Sequence, residues 1–105
     1  MEIPNKIKIG SYYYNIKKVR IVEWGNNDIA GQINYTDKVI KLRKFNKDEK
    51  VTEDILFHEI AHGVLKELEF NYPQISKFRN DEDFTQEFGL NLRKIFKELL
   101  EAQIE

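Results

Sequence analysis

The chain has 105 residues, 41% hydrophobic and 33% charged, which bounds it to a single domain, 1–105, with a real but modest core. Its net charge of −1 provides no global basic field for nucleic acid, and the absence of cysteine excludes disulfides, thiolate metal sites and a cysteine nucleophile. Residues 1–6 carry no signal-peptide core and no apolar run is long enough to span a membrane, so the expected location is the cytoplasm.

Taken in chain order, Lys6 to Ile9 alternates cationic and apolar residues. Gly10-Ser11 then signals a turn, and an aromatic-rich extended run from Tyr12 continues through Val22. This predicts a hairpin. Trp24 precedes the turn formers Gly25-Asn26-Asn27-Asp28 and reads as a rim or core anchor without chemistry. A second hairpin is expected from Ile29 to Tyr35 and from Val39 to Leu42, with Thr36-Asp37-Lys38 as its turn. Gly31, inside the first of those strands, marks a bulge or the close approach of another backbone.

A helix is expected next, capped by Asn46 or starting at Thr52, and running to about Glu69. Ile55, Leu56, Phe57, Ile60, Ala61, Val64, Leu65 and Leu68 form its apolar face. Gly63 costs helix propensity, which suggests a neighbouring backbone needs the room. Pro73 ends the helix region, and Asn80-Asp81-Glu82-Asp83 starts a last helix with acids in its first turn. Phe84, Phe88, Leu92, Ile95, Phe96 and Leu99 form a stripe on that helix, Lys94, Lys97 and Glu98 lie away from it, and residues 101–105 are expected to fray. The fold class is α+β: an antiparallel sheet of about four strands packed on two helices.

The chemistry is concentrated in His58-Glu59-Ile60-Ala61-His62, which contains both histidines of the chain. Residues four apart share a helical face, so the two imidazoles can reach one ion, with Glu59 beside it as a proton acceptor for an activated water. With no third histidine and no cysteine, a tetrahedral zinc would need an oxygen as its third protein ligand. Glu82, 20 residues beyond His62 at the start of the last helix, has the spacing for a return helix to close over the metal. Glu87, Asp83 and Asp81 are the rivals; the two aspartates are also natural helix-capping acids, and Glu87 can pair with Arg93 or Lys94 in solvent. Gln86, one turn after Glu82, can accept a hydrogen bond from an imidazole N–H but adds no charge. A second donor to a tetrahedral oxyanion has three candidates, Tyr35, Tyr72 and Arg79.

Three pieces of the chain together resemble the small zincin-like proteins of phages and mobile elements related to the ImmA/IrrE-type metallopeptidases. They are Gly31-Gln32-Ile33-Asn34-Tyr35 with Val39-Ile40-Lys41-Leu42, the helix around His58-Glu59-Ile60-Ala61-His62-Gly63, and Asn80-Asp81-Glu82 with Thr85-Gln86, Phe88-Gly89 and Leu92. The resemblance covers roughly residues 29–100. It implies a minimal zincin-like fold of gluzincin type, with Zn²⁺ held by His58, His62 and Glu82, Gln86 as polar partner of a ligand, and Phe88 with Gly89 as a packing pair. An acid stands at the position of Gln86 in proteases resembling thermolysin, and its absence bears on how active the site is. The resemblance also implies a protein or peptide substrate bound as an added strand along residues 31–35, and a host-cell cytoplasm if the chain is phage-encoded.

The expected function is therefore a zinc-dependent endopeptidase acting on an intracellular protein, with Glu59 as general base. A non-catalytic zinc-binding interaction module is the alternative from another class. A SprT-like protease of DNA-bound proteins is a third, against which the balanced charge counts. No membrane partner is expected.

Overall fold

The computed structural model describes residues 3–20, 30–44 and 49–104. Ile21, Val22, the loop at Trp24, Ile29 and the candidate cap Asn46 fall outside the described residues. Alternating cationic and apolar side chains make β1 (Lys6–Ile9) and β2 (Tyr12–Val19) an antiparallel hairpin, with Lys6 opposite Asn15 and Ile9 opposite Tyr12. Gly10 takes the left-handed conformation its two-residue turn requires, at φ 62.

β3 (Gly31–Asn34) and β4 (Val39–Arg43) form the second hairpin, with Gly31 opposite Leu42. Tyr35 leaves the strand and joins the turn. The turn is built on Asn34, whose Oδ1 accepts the backbone N–H of Thr36 at 3.0 Å and of Asp37 at 2.8 Å.

The sheet is mixed, not antiparallel throughout as expected. Its strand order is β1-β2-β4-β3, and β2 runs parallel to β4 with Ile16 beside Ile40. Each hairpin is antiparallel because its turn is short. Residues 20–38, β3 included, lie between β2 and β4, and that separation is long enough for a parallel crossover. The parallel junction sets Tyr14, Ile16, Ile40 and Leu42 side by side under one helix, and it leaves β3 at an edge.

That helix is α1 (Glu49–Asn71), which begins ahead of Thr52; Thr52 is itself buried. Leu56, Phe57 and Ile60 pack with Ile9, Tyr14, Ile16, Ile40 and Leu42 into the core, while Leu68 at the far end of the expected face is exposed. Beyond α1 the chain is helical where only a break was expected: a 3₁₀ turn over Pro73–Ile75 leads into a short α2 (Ser76–Arg79). Asp81 caps α3 (Glu82–Ile104), its Oδ1 accepting the Phe84 N–H at 3.0 Å, and α3 continues as helix to Ile104 across the segment expected to fray.

α3 packs along α1, but not through the whole stripe read from the sequence: Phe84, Ile95, Phe96 and Leu99 remain between 40% and 60% exposed. The contact runs instead over the small buried residues Thr85 and Gly89 and the partly buried Leu92. Lys97 does not lie away from the contact. With Arg93, it turns towards the buried Glu53 of α1, at 3.2 and 3.4 Å. A carboxylate taken out of water needs cations beside it, and this requirement helps set the rotation of α3. The architecture is thus α+β, a four-stranded mixed sheet beneath α1, with α3 alongside.

Candidate metal centre

One turn of α1 separates His58 from His62, and their rings meet edge-on with centroids 4.8 Å apart. Both ε nitrogens face the same carboxylate: His58 Nε2 lies 2.9 Å from one Glu82 oxygen and His62 Nε2 lies 3.2 Å from the other. Glu82, in the first turn of α3, comes within reach of the histidines because Gly89, two turns further on, lets the two helices touch. A Cβ at Gly89 would come within 2.9 Å of the Phe57 carbonyl oxygen and 3.1 Å of the His58 Cα.

The remaining ring nitrogens are anchored as well. His58 Nδ1 is 2.8 Å from Gln86 Oε1, and His62 makes a hydrogen bond to the backbone of Arg79. An Nδ1 that donates to a carbonyl leaves Nε2 unprotonated in the neutral ring. In that tautomer the Nε2 atoms and the carboxylate are acceptors facing one another, an arrangement that a metal ion, or a proton on an imidazole, makes favourable. The spacing suits a metal. Two ligand atoms about 2.0–2.1 Å from a tetrahedral zinc lie about 3.3 Å apart, close to the separations found here. His58, His62 and Glu82 can therefore hold a metal ion, their ligand atoms all lying within 4.8 Å of one another.

The three rivals of Glu82 lie elsewhere. Asp81 is committed to capping α3, while Asp83 and Glu87 are exposed and do not belong to the cluster. Arg93, expected as a solvent partner of Glu87, is taken by Glu53 and Asp54.

Glu59 is buried beside the two histidines. Burial pushes its carboxyl up from 4.5 to about 7; His58 opposes that rise and the Glu82 charge reinforces it. Gly31 passes directly over it, since a Cβ there would lie 2.5 Å from Ile55 Cγ2 and 3.0 Å from Glu59 Oε2. The close approach at this glycine is by the side chains of Ile55 and Glu59, not by another backbone as expected. Gly63 serves a different purpose from the one expected: its neighbours are the side-chain tips of Ile9 and Ile33, not a backbone. Burial also lowers the His62 pKa below the usual histidine value, against the pull of Glu82.

These groups open onto a cleft of about 500 Å³ lined by Gly31, Gln32, Tyr35, Glu59, Arg79 and Glu82 among others. A second pocket of about 420 Å³ shares His58, Glu59 and Glu82 with it and is bounded by Asp54, Ile55 and Gln86. Two of the three oxyanion candidates reach the cleft. Tyr35 lies on its wall, its hydroxyl donating to the His62 carbonyl at 3.4 Å, and burial raises its pKa to about 12, which keeps it a donor. Arg79 lines the cleft with its Nε held by Glu69 at 3.1 Å. Tyr72 is half exposed and does not line the cleft.

Comparison with protein-family models, with curated proteins and with solved structures gives no significant match. The site stands on its own geometry. Sequence reasoning missed the Arg79 backbone as a partner of His62, because a carbonyl that any residue could supply leaves no side-chain signal. It also missed Asn80 on the cleft wall, and the buried Glu53 that orients α3. No described helix is long and apolar enough to cross a membrane.

Proposed function

We propose that the protein is a zinc-dependent metallopeptidase with a minimal zincin-like fold, related to the ImmA/IrrE-type enzymes and acting on an intracellular protein. The observation that carries this reading is the convergence of His58 and His62 Nε2 on the Glu82 carboxylate, with Glu59 buried next to them under a free strand edge. A zinc ion held there would supply Lewis acidity, activating a water and polarising the scissile carbonyl.

Glu59 takes the proton from the attacking water and hands it to the leaving amine. Burial raises the proton affinity of this carboxyl, which favours its acting as a base. Tyr35 remains protonated and can turn its hydroxyl towards the developing oxyanion. β3 pairs with β4 on one side only, so among the described strands its other edge is open to a peptide laid down as an additional strand. Gln86 and the Arg79 backbone keep the two imidazoles in the orientation the ligands require.

The test uses two variants. Glu59→Gln should retain stoichiometric zinc yet lose proteolysis, read by comparing cleaved proteins in cells expressing wild type or variant; His58→Ala should lose both metal and activity. Wild-type protein with no affinity for zinc would refute the reading. A zinc-stapled, non-catalytic interaction module is the second reading, favoured by ligands that come from two different helices and by Gln86 where an acid would strengthen the site. Glu59→Gln leaving the biological effect intact would select it.

A further inference from the structure

The near-neutral charge of the chain conceals an uneven distribution. The four strands carry six cationic side chains and no acid, whereas α1 carries six acids against two lysines. In the described sheet and its hairpin turns the only acid is Asp37, held in the β3–β4 turn by Asn34 Nδ2 at 3.2 Å. Strand alternation then sorts the cations. Ile9, Tyr14, Ile16, Ile40 and Leu42 turn inward to α1, and Lys6, Lys8, Tyr13, Asn15, Lys17, Lys41 and Gln32 are exposed on the outer face.

The register arranges these residues in rows. Lys17 stands directly beside Lys41, which stands beside Gln32. Lys6 stands opposite Asn15, and Lys8 opposite Tyr13. Like charges directly across a sheet are destabilising, and among the described residues neither Lys17 nor Lys41 has an ion-pair partner. Tyr13 is 58% exposed, with the Lys6 and Lys8 ammonium groups 4.9 and 5.6 Å from its ring centre. Cationic charge and aromatic surface thus form one unit, on long stems that can follow a ligand away from the ring.

We propose that this outer sheet face binds single-stranded nucleic acid, with Lys6, Lys8, Lys17 and Lys41 meeting phosphates and Tyr13 and Asn15 meeting bases. Exposed lysines laid out along two directions of a sheet complement a phosphate backbone. An exposed aromatic ring can stack only on a base that is free of its own stack, and side-chain amides can read base edges. A membrane surface would call for apolar groups able to enter it, and among the described residues this face offers Tyr13 and two partly buried valines, Val19 and Val39. None of the four lysines lines the metal cleft, so this function is separate from the proposed peptidase activity.

The test is fluorescence anisotropy of the zinc-loaded full chain with a labelled single-stranded oligonucleotide, deoxy and ribo. Binding should weaken roughly fifty-fold between about 50 and 200 mM salt, the single-strand slope for four phosphate contacts. Lys17→Glu with Lys41→Glu should weaken it at least roughly tenfold, and Tyr13→Ala roughly fivefold or more with the salt slope unchanged. Lys41→Glu alone separates binding from folding: it replaces a like-charged cross-strand pair with an opposite one, so the melting temperature should hold or rise while affinity falls. If the double reversal does not fold, Lys17→Gln with Lys41→Gln takes its place. No binding, binding untouched by these lysine changes, or heparin and phosphatidylserine vesicles bound as tightly with Tyr13→Ala without effect on the oligonucleotide, would each overturn the proposal.

Discussion

At the scale of single residues, Glu59 carries the most readable consequence. Its carboxyl is raised to about 7 in the folded protein, chiefly by burial, so the folded state holds that proton more tightly than the unfolded chain does. The stability it contributes is fully present below about pH 4.5 and is lost as the pH rises through about 7. His62 runs the other way: its lowered pKa gives stability that is present above about 6.5 and lost as the pH falls through the folded value. Glu59→Gln separates the two. In chelator, urea melts of the variant and the wild type should agree near pH 4.5 and diverge with rising pH, the variant gaining up to about 3 kcal/mol by pH 8; a gap that does not change with pH would contradict a buried, ionising Glu59. Gln86 makes a second case. Removing the partner of His58 Nδ1 by Gln86→Ala should weaken zinc binding by roughly tenfold or more, whereas Gln86→Glu should bind at least as tightly as wild type, measured by competition with a chromogenic chelator.

At the scale of elements, the α1–α3 crossing decides whether the ligands meet. Ala is better than Gly in a helix by about 1 kcal/mol, so Gly89→Ala would be stabilising if propensity ruled. It should be destabilising, because the new methyl meets the Phe57 carbonyl and the His58 Cα, backbone atoms that cannot move aside without displacing a metal ligand. Gly63→Ala is the control. Its methyl would meet the tips of Ile9 and Ile33, which can shift, so its melting temperature should stay within a few degrees of wild type. The expected result is that Gly89→Ala loses zinc affinity and thermal stability together while Gly63→Ala keeps both. Equal behaviour of the two would mean that the helix crossing does not position Glu82. The exposed stripe of α3 has a related origin. Phe84, Ile95 and Leu99 have helical spacing on one face, and the pattern alone could not reveal that the buried Glu53 would draw Arg93 and Lys97 into the contact.

At the scale of the whole molecule, what was legible is what local chemistry determines. Each hairpin is announced by its own turn residues, and the pairing of His58 with His62 follows from helical geometry alone. Glu82 was readable because spacing and the start of a helix pointed to the same residue. The parallel junction of β2 with β4 was not legible: both hairpins satisfy their local rules in either sheet arrangement, and the packing of Ile16 and Ile40 beneath α1 depends on contacts remote in sequence. The same non-local packing brings the candidate metal site together, with two of its side chains on α1 and one on α3, so an ion bound there would join the two helices. Binding to the folded state alone adds stability by mass action, about 2.7 kcal/mol at free zinc a hundredfold above its dissociation constant. For a domain near 100 residues this is a rise of roughly 10 °C in melting temperature. Scanning calorimetry with and without zinc should find that rise in wild type and in Glu59→Gln, which keeps every ligand, and should lose it in Glu82→Ala. A rise that survives Glu82→Ala would mean the ion is held without α3, and the two-helix centre would have to be abandoned.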